Sequence, residues 1–351
     1  MMFWKNIQQL FRDLRHQKLR TVLTLFGIIW GSVAIILLLT FGSSFHKFSL
    51  KAAHGMGEGI CIMWGGRTSI PHEGFNRGRS IRFSEDDVRV MEEQIQEIGI
   101  ISPEYSRDVR LRVGQEGYST NLSAVYPVFQ ELRNMIPAEG GRFLNPLDLE
   151  LRRRVAFIGD QVEEDLFGAG QGVHQTLFIN NIPFQVIGVL KPKMQTSNYN
   201  GGDGTRILIP ATTYQGIYGD RYLSNMVFKA TQIRFTQQMI DKVYQVLGKR
   251  HKFSPDDSEA LSIWDTTEME KFFNTFFGGF QVFLGIVGCM TLIVGGIGVS
   301  NIMNVVVEER TREIGIKKAL GAKRKMILNQ YLMETFVITA IGGIIGFLIS
   351  F

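Results

Sequence analysis

The chain has 351 residues, 45% of them hydrophobic, and this length is sufficient for more than one domain. Its formal charge of +5 is uneven, because residues 43–271 carry 26 basic and 28 acidic side chains while short basic segments flank apolar ones. This distribution argues against nucleic-acid binding and for contact with an anionic membrane surface. Cys61 and Cys289 fall in different segments and predict no disulfide framework.

The N-terminal segment predicts a membrane anchor. Residues 1–20 predict a cytoplasmic amphipathic interfacial helix, because apolar residues recur at helical spacing between basic ones. Residues 21–41 carry no charge and are long enough to cross a bilayer as the first span. We reject a cleaved signal peptide, because the apolar run is too long and a small-x-small cleavage site is lacking. The preceding basic residues place the N-terminus in the cytoplasm.

Residues 42–267 predict a large α+β extracytoplasmic domain of two subdomains. Asn180 and Asn181 lie between two strand-like segments and predict a tight hairpin turn. Ser84 and Asp87 predict a capping box at the start of a helix. Alternating or continuous apolar runs predict strands over 59–64, 109–113, 154–159, 176–179, 182–190 and 206–210, and helical patterns cover 85–98, 160–167 and 236–247.

No catalytic, metal-binding or cofactor-binding constellation is recognisable in the sequence. His-Glu-x-x-His, Gly-x-Ser-x-Gly and paired-cysteine motifs are absent. The glycine-rich run 168–172 lacks the Gly-Lys-Ser/Thr ending of a phosphate-binding loop, so we interpret it as a turn. His72 beside Glu73 is interpreted as solvated. We therefore predict a non-catalytic chain without its own cofactor.

Two further apolar segments predict spans. Thr267 and Glu270 predict a capping box, and residues 268–307 predict a stalk that continues into the second span. The charge-free stretch 272–307 would measure about 54 Å as a helix, more than a bilayer requires. Residues 326–351 predict the third span. It contains Glu334, which we expect to reach the interface or Lys325, although a buried ionisable group is also a functional candidate.

Small residues in the spans predict close helix packing and a homodimer. Glycine lets two helix backbones approach each other within a bilayer. The residues predicted to serve dimer and helix packing are Gly27, Gly31, Gly288, Gly295 and Gly296. Gly342 and Gly346 repeat the same spacing in the third span.

The basic loop, residues 308–325, joins the second and third spans. Its seven basic and three acidic residues predict a cytoplasmic location. Pairs at i,i+4, Glu308 with Arg312 and Glu313 with Lys317, predict a short helix that Gly321 can end. An inert basic anchor is the alternative. The residues predicted to couple to an ATPase are Glu308, Arg310, Arg312, Glu313, Ile314, Gly315, Ile316, Lys317, Ala319, Leu320 and Gly321.

The order of these elements resembles the permease subunits of FtsX/MacB-type ABC transporters with a MacB-like periplasmic core domain. Residues 308–322 are the most specific part of the resemblance, and residues 18–31 resemble the entry to the family's first span. The segments that resemble the core-domain signature are Gly141–Phe143, Asp148, Val155–Gly159, Leu166–Gly168, Phe184–Val189 and Ile209–Pro210.

The resemblance implies a multi-pass protein of the inner membrane that transmits ATP-driven motion to its periplasmic domain for export. It implies ATP and magnesium on a separate ATP-binding subunit, since no ATPase is visible in the sequence. The partners that it implies are this ATPase, a second permease copy or paralogue, membrane lipids, and in some members a periplasmic adaptor and an outer-membrane channel. The family has four spans, so we expect that a fourth is missing from this sequence.

Two other classes of protein remain open on the sequence. A membrane-anchored extracytoplasmic sensor would need a cytoplasmic output module, and a membrane-anchored enzyme would need a catalytic set. Neither feature is recognisable, so both are weaker interpretations. The substrate is not indicated by any segment of the predicted domain.

Overall fold

The described part of the chain, residues 18–114 and 116–350 of a computed structural model, forms two compact units. The helical unit contains described residues 18–47 and 274–350, and the sheet unit contains residues 48–273. The interfacial helix predicted over 1–20 lies almost entirely outside the described residues.

The secondary structure follows the predicted alternation of spans and domain. The helices are α1 Lys18–His54, α2 Glu85–Gln94, α3 Phe129–Leu132, α4 Pro146–Glu150, α5 Asp160–Phe167, α6 Ala211–Tyr218, α7 Thr236–His251, α8 Thr266–Glu309, α9 Thr311–Ala319 and α10 Arg324–Ile349. The strands are β1 Ile60–Gly65, β2 Ile98–Val113, β3 Glu116–Val125, β4 Val155–Ile158, β5 Thr176–Ile179, β6 Ile182–Val189, β7 Ile207–Pro210, β8 Asn225–Ala230 and β9 Leu261–Asp265. Short 3-10 turns cover Asp203–Thr205 and Ile233–Phe235.

Three of the described helices are long and apolar enough to cross a membrane. They contain the segments Leu25–His54, Thr266–Glu309 and Arg324–Ile349. α1 and α8 both extend past the spans predicted over 21–41 and 268–307. The start of α8 also differs from the predicted capping box, because Asp265 accepts hydrogen bonds from the backbone N and the hydroxyl of Thr267 at 2.8 Å. Asp265 therefore caps the N-terminus of α8, a role that the sequence had predicted for Thr267.

The strands of the sheet unit form one mixed sheet of nine strands in the order β3-β7-β4-β6-β5-β2-β8-β1-β9. The pairs β3–β7 and β4–β6 are parallel, and the others are antiparallel. Because β2 also pairs with β3, six strands close into a circuit, from β3 through β7, β4, β6 and β5 to β2. The domain is α+β as predicted. Its division into two subdomains stays a prediction.

Side chains alternate between two apolar cores on either side of β1. Cys61 and Met63 belong to the larger core, whereas Ile60 and Ile62 belong to the smaller one. This alternation follows from the two-residue period of a strand. The predicted hairpin turn is confirmed, since Asn180 has φ 47° and Asn181 φ 67°, the left-handed conformation that asparagine tolerates.

The predicted capping box of α2 is confirmed and has additional partners. Asp87 accepts a hydrogen bond from the Ser84 backbone at 2.7 Å. Its other oxygen accepts from Arg250 Nε at 2.6 Å and lies 2.9 Å from His251 Nε2. Burial raises the pKa of Asp87, but the hydrogen bonds with His251, the Ser84 backbone and Arg250 together lower it to about 2. The carboxylate therefore connects the start of α2 to the end of α7.

A fully buried ionic cluster lies inside the sheet unit. Arg206 donates to Glu104 at 3.1 Å and to Asp203 at 3.3 Å, and Arg133 donates to Asp203 at 2.6 Å. None of these four side chains is exposed. Burial would raise the pKa of Asp203, yet Arg133, Lys193 and Arg206 outweigh it, so the pKa lies below its usual value. Such a cluster is stable only when its charges are paired.

Tyr199 contacts this cluster through both its hydroxyl and its aromatic ring. Its hydroxyl donates to Glu104 at 2.7 Å, while the guanidinium carbons of Arg133 and Arg206 lie 4.5 Å and 5.3 Å from its ring centroid. Asn225 donates to the same carboxylate at 2.8 Å. The hydroxyl and the ring of Tyr199 therefore connect three charges, Glu104, Arg133 and Arg206, that come from three separate segments.

Candidate functional site

The basic loop, residues 308–325, begins where α8 ends, and a break at Arg310 separates it from α9. Arg310 has φ −96° and ψ 14°, outside the helical range. The predicted helix is therefore interrupted between Glu308 and Arg312. Among the ion pairs of the described residues neither predicted i,i+4 pair is present. The break removes the helical spacing that Glu308 and Arg312 would need.

The end of α9 confirms the predicted role of Gly321. The backbone N of Ala322 donates to the carbonyl of Lys317, and that of Gly321 donates to the carbonyl of Lys318, each at 3.0 Å. These two bonds form a Schellman motif. It requires a left-handed residue, and Gly321 adopts φ 90°. Glycine therefore sets the turn from α9 towards α10.

α9 presents an exposed surface with apolar members. Leu320 is 83% exposed and Ile316 is 55% exposed, although Ile314 is partly covered. Gly315 has nothing within 4 Å of the position that a Cβ would occupy. The middle of α9 is therefore accessible to another backbone.

A polar network fastens the basic loop to α10. Arg310 Nη1 lies 3.8 Å from Glu334 Oε2, and both side chains are less than one fifth exposed. Gln330 donates to Glu334 at 3.2 Å and accepts from Lys317 Nζ at 3.2 Å. Glu334 thus has a structural partner, as preferred from the sequence, but the partner is Arg310 and not Lys325. Sequence reasoning did not single out Gln330, whose position one turn before Glu334 was the available signal.

Small residues of α10 pack directly on α1. A Cβ added at Gly342 would lie 3.0 Å from Ile28, and one at Gly346 would lie 2.8 Å from Ser32 Cβ. Both glycines are buried. Two small residues one turn apart therefore let the third span approach the first.

The five glycines predicted for packing divide into two groups. A Cβ at Gly288 would meet Ile35 at 3.0 Å, and one at Gly31 would meet Thr291 at 3.6 Å, so these glycines face the neighbouring span of the same chain. A Cβ at Gly295 would lie 3.9 Å from the carbonyl oxygen of Gly27, so Gly295 also faces the neighbouring span. Gly27 and Gly296 have nothing within 4 Å of an added Cβ. Their role in a homodimer stays a prediction.

Two family models match the chain. The MacB-like periplasmic core domain matches residues 21–243, and the FtsX-like permease C-terminal model matches residues 285–351. The chain belongs to the FtsX/MacB-type permease family. These domains are non-catalytic permease domains. In the part of the chain that the structure describes, no group of three or more histidine, cysteine or acidic side chains could hold a metal ion.

Relatives from the same family are similar over nearly the whole chain. The macrolide export ATP-binding/permease protein MacB of Wolinella succinogenes is 32% identical over 352 residues, which cover 99% of this chain and 52% of the relative. The protein of the same name from Bdellovibrio bacteriovorus is 29% identical over 97% of this chain and 52% of its own length. The pyoverdine export ATP-binding/permease protein PvdT of Pseudomonas putida is 29% identical over 97% and 51%. The chain spans about half the length of these relatives.

A solved structure supports the fold of the sheet unit. The periplasmic region of MacB from Actinobacillus actinomycetemcomitans covers 64% of this chain and 97% of that structure, with a TM-score of 0.50 and 18% identity. At this identity the likeness concerns the fold alone. The sheet unit therefore has the fold of a MacB periplasmic region.

Proposed function

We propose that this chain is the permease component of an ABC transporter and transmits ATP-driven motion to its extracytoplasmic domain. The observation that carries the proposal is the basic loop, which combines an exposed helix with a polar connection to a membrane span. A helix that offers Ile316, Leu320 and an unobstructed Gly315 can be held by a partner. The Arg310–Glu334 pair can then pass its movement to α10.

The proposed partner is an ABC ATPase, on the same polypeptide or on a separate one, which binds ATP and magnesium. The names of the relatives combine ATP-binding and permease functions, which supports such a pairing. Two permease copies would pair, and export substrate would be handled by the sheet unit outside the membrane. An adaptor, an outer-membrane channel and lipids are further expected partners.

Docking is tested at the middle of α9 with the chain and its ABC ATPase reconstituted together. Gly315→Trp should lower both ATPase co-purification and stimulated ATP hydrolysis, because the indole occupies the space that a partner backbone needs. Gly315→Ala is the matched control, since alanine favours a helix by about 1 kcal/mol and adds only one methyl group. If Gly315→Trp and Glu313→Lys both keep wild-type ATPase co-purification and stimulated ATP hydrolysis, docking at the basic loop is rejected. The loop is then only an anchor that obeys the positive-inside rule.

The proposed topology has the basic loop in the cytoplasm and the sheet unit outside. Single cysteines at Asn200→Cys and Lys323→Cys, in a background without Cys61 and Cys289, distinguish the two sides. An impermeant reagent applied to intact cells should label position 200 alone. Labelling of position 323 alone would reverse the orientation and end the proposal.

A further inference from the structure

A cleft of about 450 Å³ lies within the sheet unit, beside the end of β1. Its walls come from three segments: Gly65–Arg67, Ser80–Phe83 and Tyr222–Ser224. The volume is within the range of small binding pockets in proteins. No residue of these three segments was assigned a role by the sequence or by the coupling proposal.

The cleft is cationic. None of the residues that line it is acidic, whereas two of them, Arg67 and Arg82, are basic. Neither arginine forms an ion pair with any residue that the structure describes. Other arginines nearby are engaged: Arg79 donates to two backbone carbonyls at 2.6 and 2.8 Å, and Arg107 pairs with Asp220 at 2.9 Å. The two cleft arginines therefore retain uncompensated charge.

An aromatic side chain contacts two arginines at the edge of the cleft. The guanidinium carbon of Arg82 is 5.4 Å from the centroid of the Tyr222 ring, and that of Arg221 is 5.9 Å away. Tyr222 is 45% exposed. Stacking orients a planar guanidinium while its N–H groups remain available to an acceptor.

The walls of the cleft are held together by backbone hydrogen bonds. Ile81 N donates to the Gly66 carbonyl at 3.0 Å, and Leu223 N donates to the Phe83 carbonyl at 2.9 Å. The approach at Gly65 is so close that an added Cβ would lie 1.9 Å from the Ile81 carbonyl oxygen. The arginines thus extend from a rigid frame, which reduces the ordering cost of binding.

We propose that this cleft binds carboxylate side chains of an acidic peptide segment presented by a partner protein. Arginine matches a carboxylate with two parallel hydrogen bonds. Arginine and tyrosine are also the residue types that dominate protein–protein contacts. The loop between the first two walls adds exposed apolar surface, since Ile70 is 40% and Phe75 41% exposed. This combination of charge and apolar surface favours a peptide over a small inorganic anion. The proposal does not depend on ATPase docking.

The test measures binding of a fluorescent hexaglutamate peptide to the full chain in detergent by fluorescence anisotropy. Hexaglutamine is the uncharged reference peptide. The Arg67→Ser/Arg82→Ser variant should weaken hexaglutamate binding by about tenfold or more, as expected for loss of paired charge-assisted hydrogen bonds. The Arg67→Lys/Arg82→Lys variant retains the charge and should lose only part of the affinity, because lysine lacks the fork geometry.

Arg154→Ser/Arg234→Ser is the matched control, since it removes the same charge at two exposed arginines of the sheet unit outside the cleft. This control should bind within about twofold of wild type. If hexaglutamate binding weakens equally in both Ser double variants, only the net charge of the chain matters, and the proposed site is overturned. Two results would overturn the assignment to a peptide. One is complete displacement of hexaglutamate by inorganic phosphate at the same total negative charge. The other is binding to phosphatidylglycerol vesicles that is stronger than binding to hexaglutamate. Full affinity in Arg67→Ser/Arg82→Ser would overturn the proposal altogether.

Discussion

Arg310 and Glu334 form an ion pair across the basic loop, with 3.8 Å between Nη1 and Oε2. Arg310 occupies the break between α8 and α9, whereas Glu334 lies in α10. One contact therefore joins three helices at the point where the proposed partner would act. A change in the orientation of α9 must either carry α10 with it or separate these charges.

The first prediction concerns this pair. Arg310→Ala and Glu334→Ala should each reduce stimulated ATP hydrolysis in the reconstituted complex, because each removes the ion pair that joins the basic loop to α10. In a double-mutant cycle the two substitutions should show an interaction energy of about 0.5–3 kcal/mol. The measurement is the ATPase rate of the two single variants and the double variant.

Lys325 provides the control for that cycle. It is an exposed basic residue of the same loop and was the partner that the sequence suggested for Glu334. Lys325→Ala combined with Glu334→Ala should give additive effects. An interaction energy at Lys325 as large as at Arg310 would mean that loop charge, and not the observed contact, determines coupling.

The second prediction concerns packing of α10 on α1. Gly346→Leu should reduce the yield and thermal stability of the detergent-purified chain, since its Cβ would meet Ser32 at 2.8 Å. Overpacking of this kind costs about 1–3 kcal/mol. Gly343→Leu is the comparison, because an added Cβ there meets nothing within 4 Å. Similar melting temperatures for the two variants would contradict the packing.

The third prediction concerns the homodimer. Gly27→Leu and Gly296→Leu should weaken cross-linking between two copies while leaving the thermal stability of the chain nearly unchanged, because both positions are unobstructed within it. Gly288→Leu should instead destabilise the chain, since the new side chain would meet Ile35. Unaltered cross-linking in Gly27→Leu and Gly296→Leu would remove these glycines from the interface.

The fourth prediction concerns the buried ionic cluster. Glu104→Gln should lower the free energy of unfolding by about 3–5 kcal/mol, because Arg206, Arg133 and Lys193 would then share Asp203 as their one buried counter-charge. Glu131→Gln removes an exposed pair with Lys229 and should cost less than about 1 kcal/mol. Denaturant unfolding followed by tryptophan fluorescence compares the two. Equal losses in the free energy of unfolding for the two variants would show that burial does not determine how much the ionic cluster contributes to stability.

The fifth prediction concerns pH. Asp87 has a pKa of about 2 in the folded chain and an ordinary value of 3.8. Its lowered pKa stabilises the fold above the unfolded pKa, and this stabilisation is lost as pH falls from about 4 to about 2. The loss should be about 1 kcal/mol, because Arg250 is 38% exposed and screened by solvent. Asp87→Asn should flatten this part of the stability profile, and an unchanged slope would assign it to other carboxylates.

Local features were predictable from the sequence, and long-range polar contacts were not. The turn at Asn180 and the end of α9 at Gly321 depend on neighbouring residues, so short spacings were sufficient. Asp87 was recognisable as a cap, but its contact with Arg250 depends on the packing of α7 against α2. In the same way, Arg310 contacts Glu334 only because α8 ends at Glu309 and the chain then reverses direction into α10. The residue types permitted several partners, and tertiary structure selected one.

The strand circuit has a consequence for how the sheet unit loses its structure. β2 pairs with β3 and β5 inside the circuit and with β8 outside it. β8 pairs with residues 98–104 of β2, whereas β3 pairs with residues 104–113, so the two sides use different halves of this strand. One apolar core nevertheless contains Met63 of β1 and Ile158 of β4, so opening of either side would expose apolar surface of the other to water. The sheet unit should therefore behave as one cooperative folding unit, with the amide hydrogens of β2 among the last to exchange with solvent.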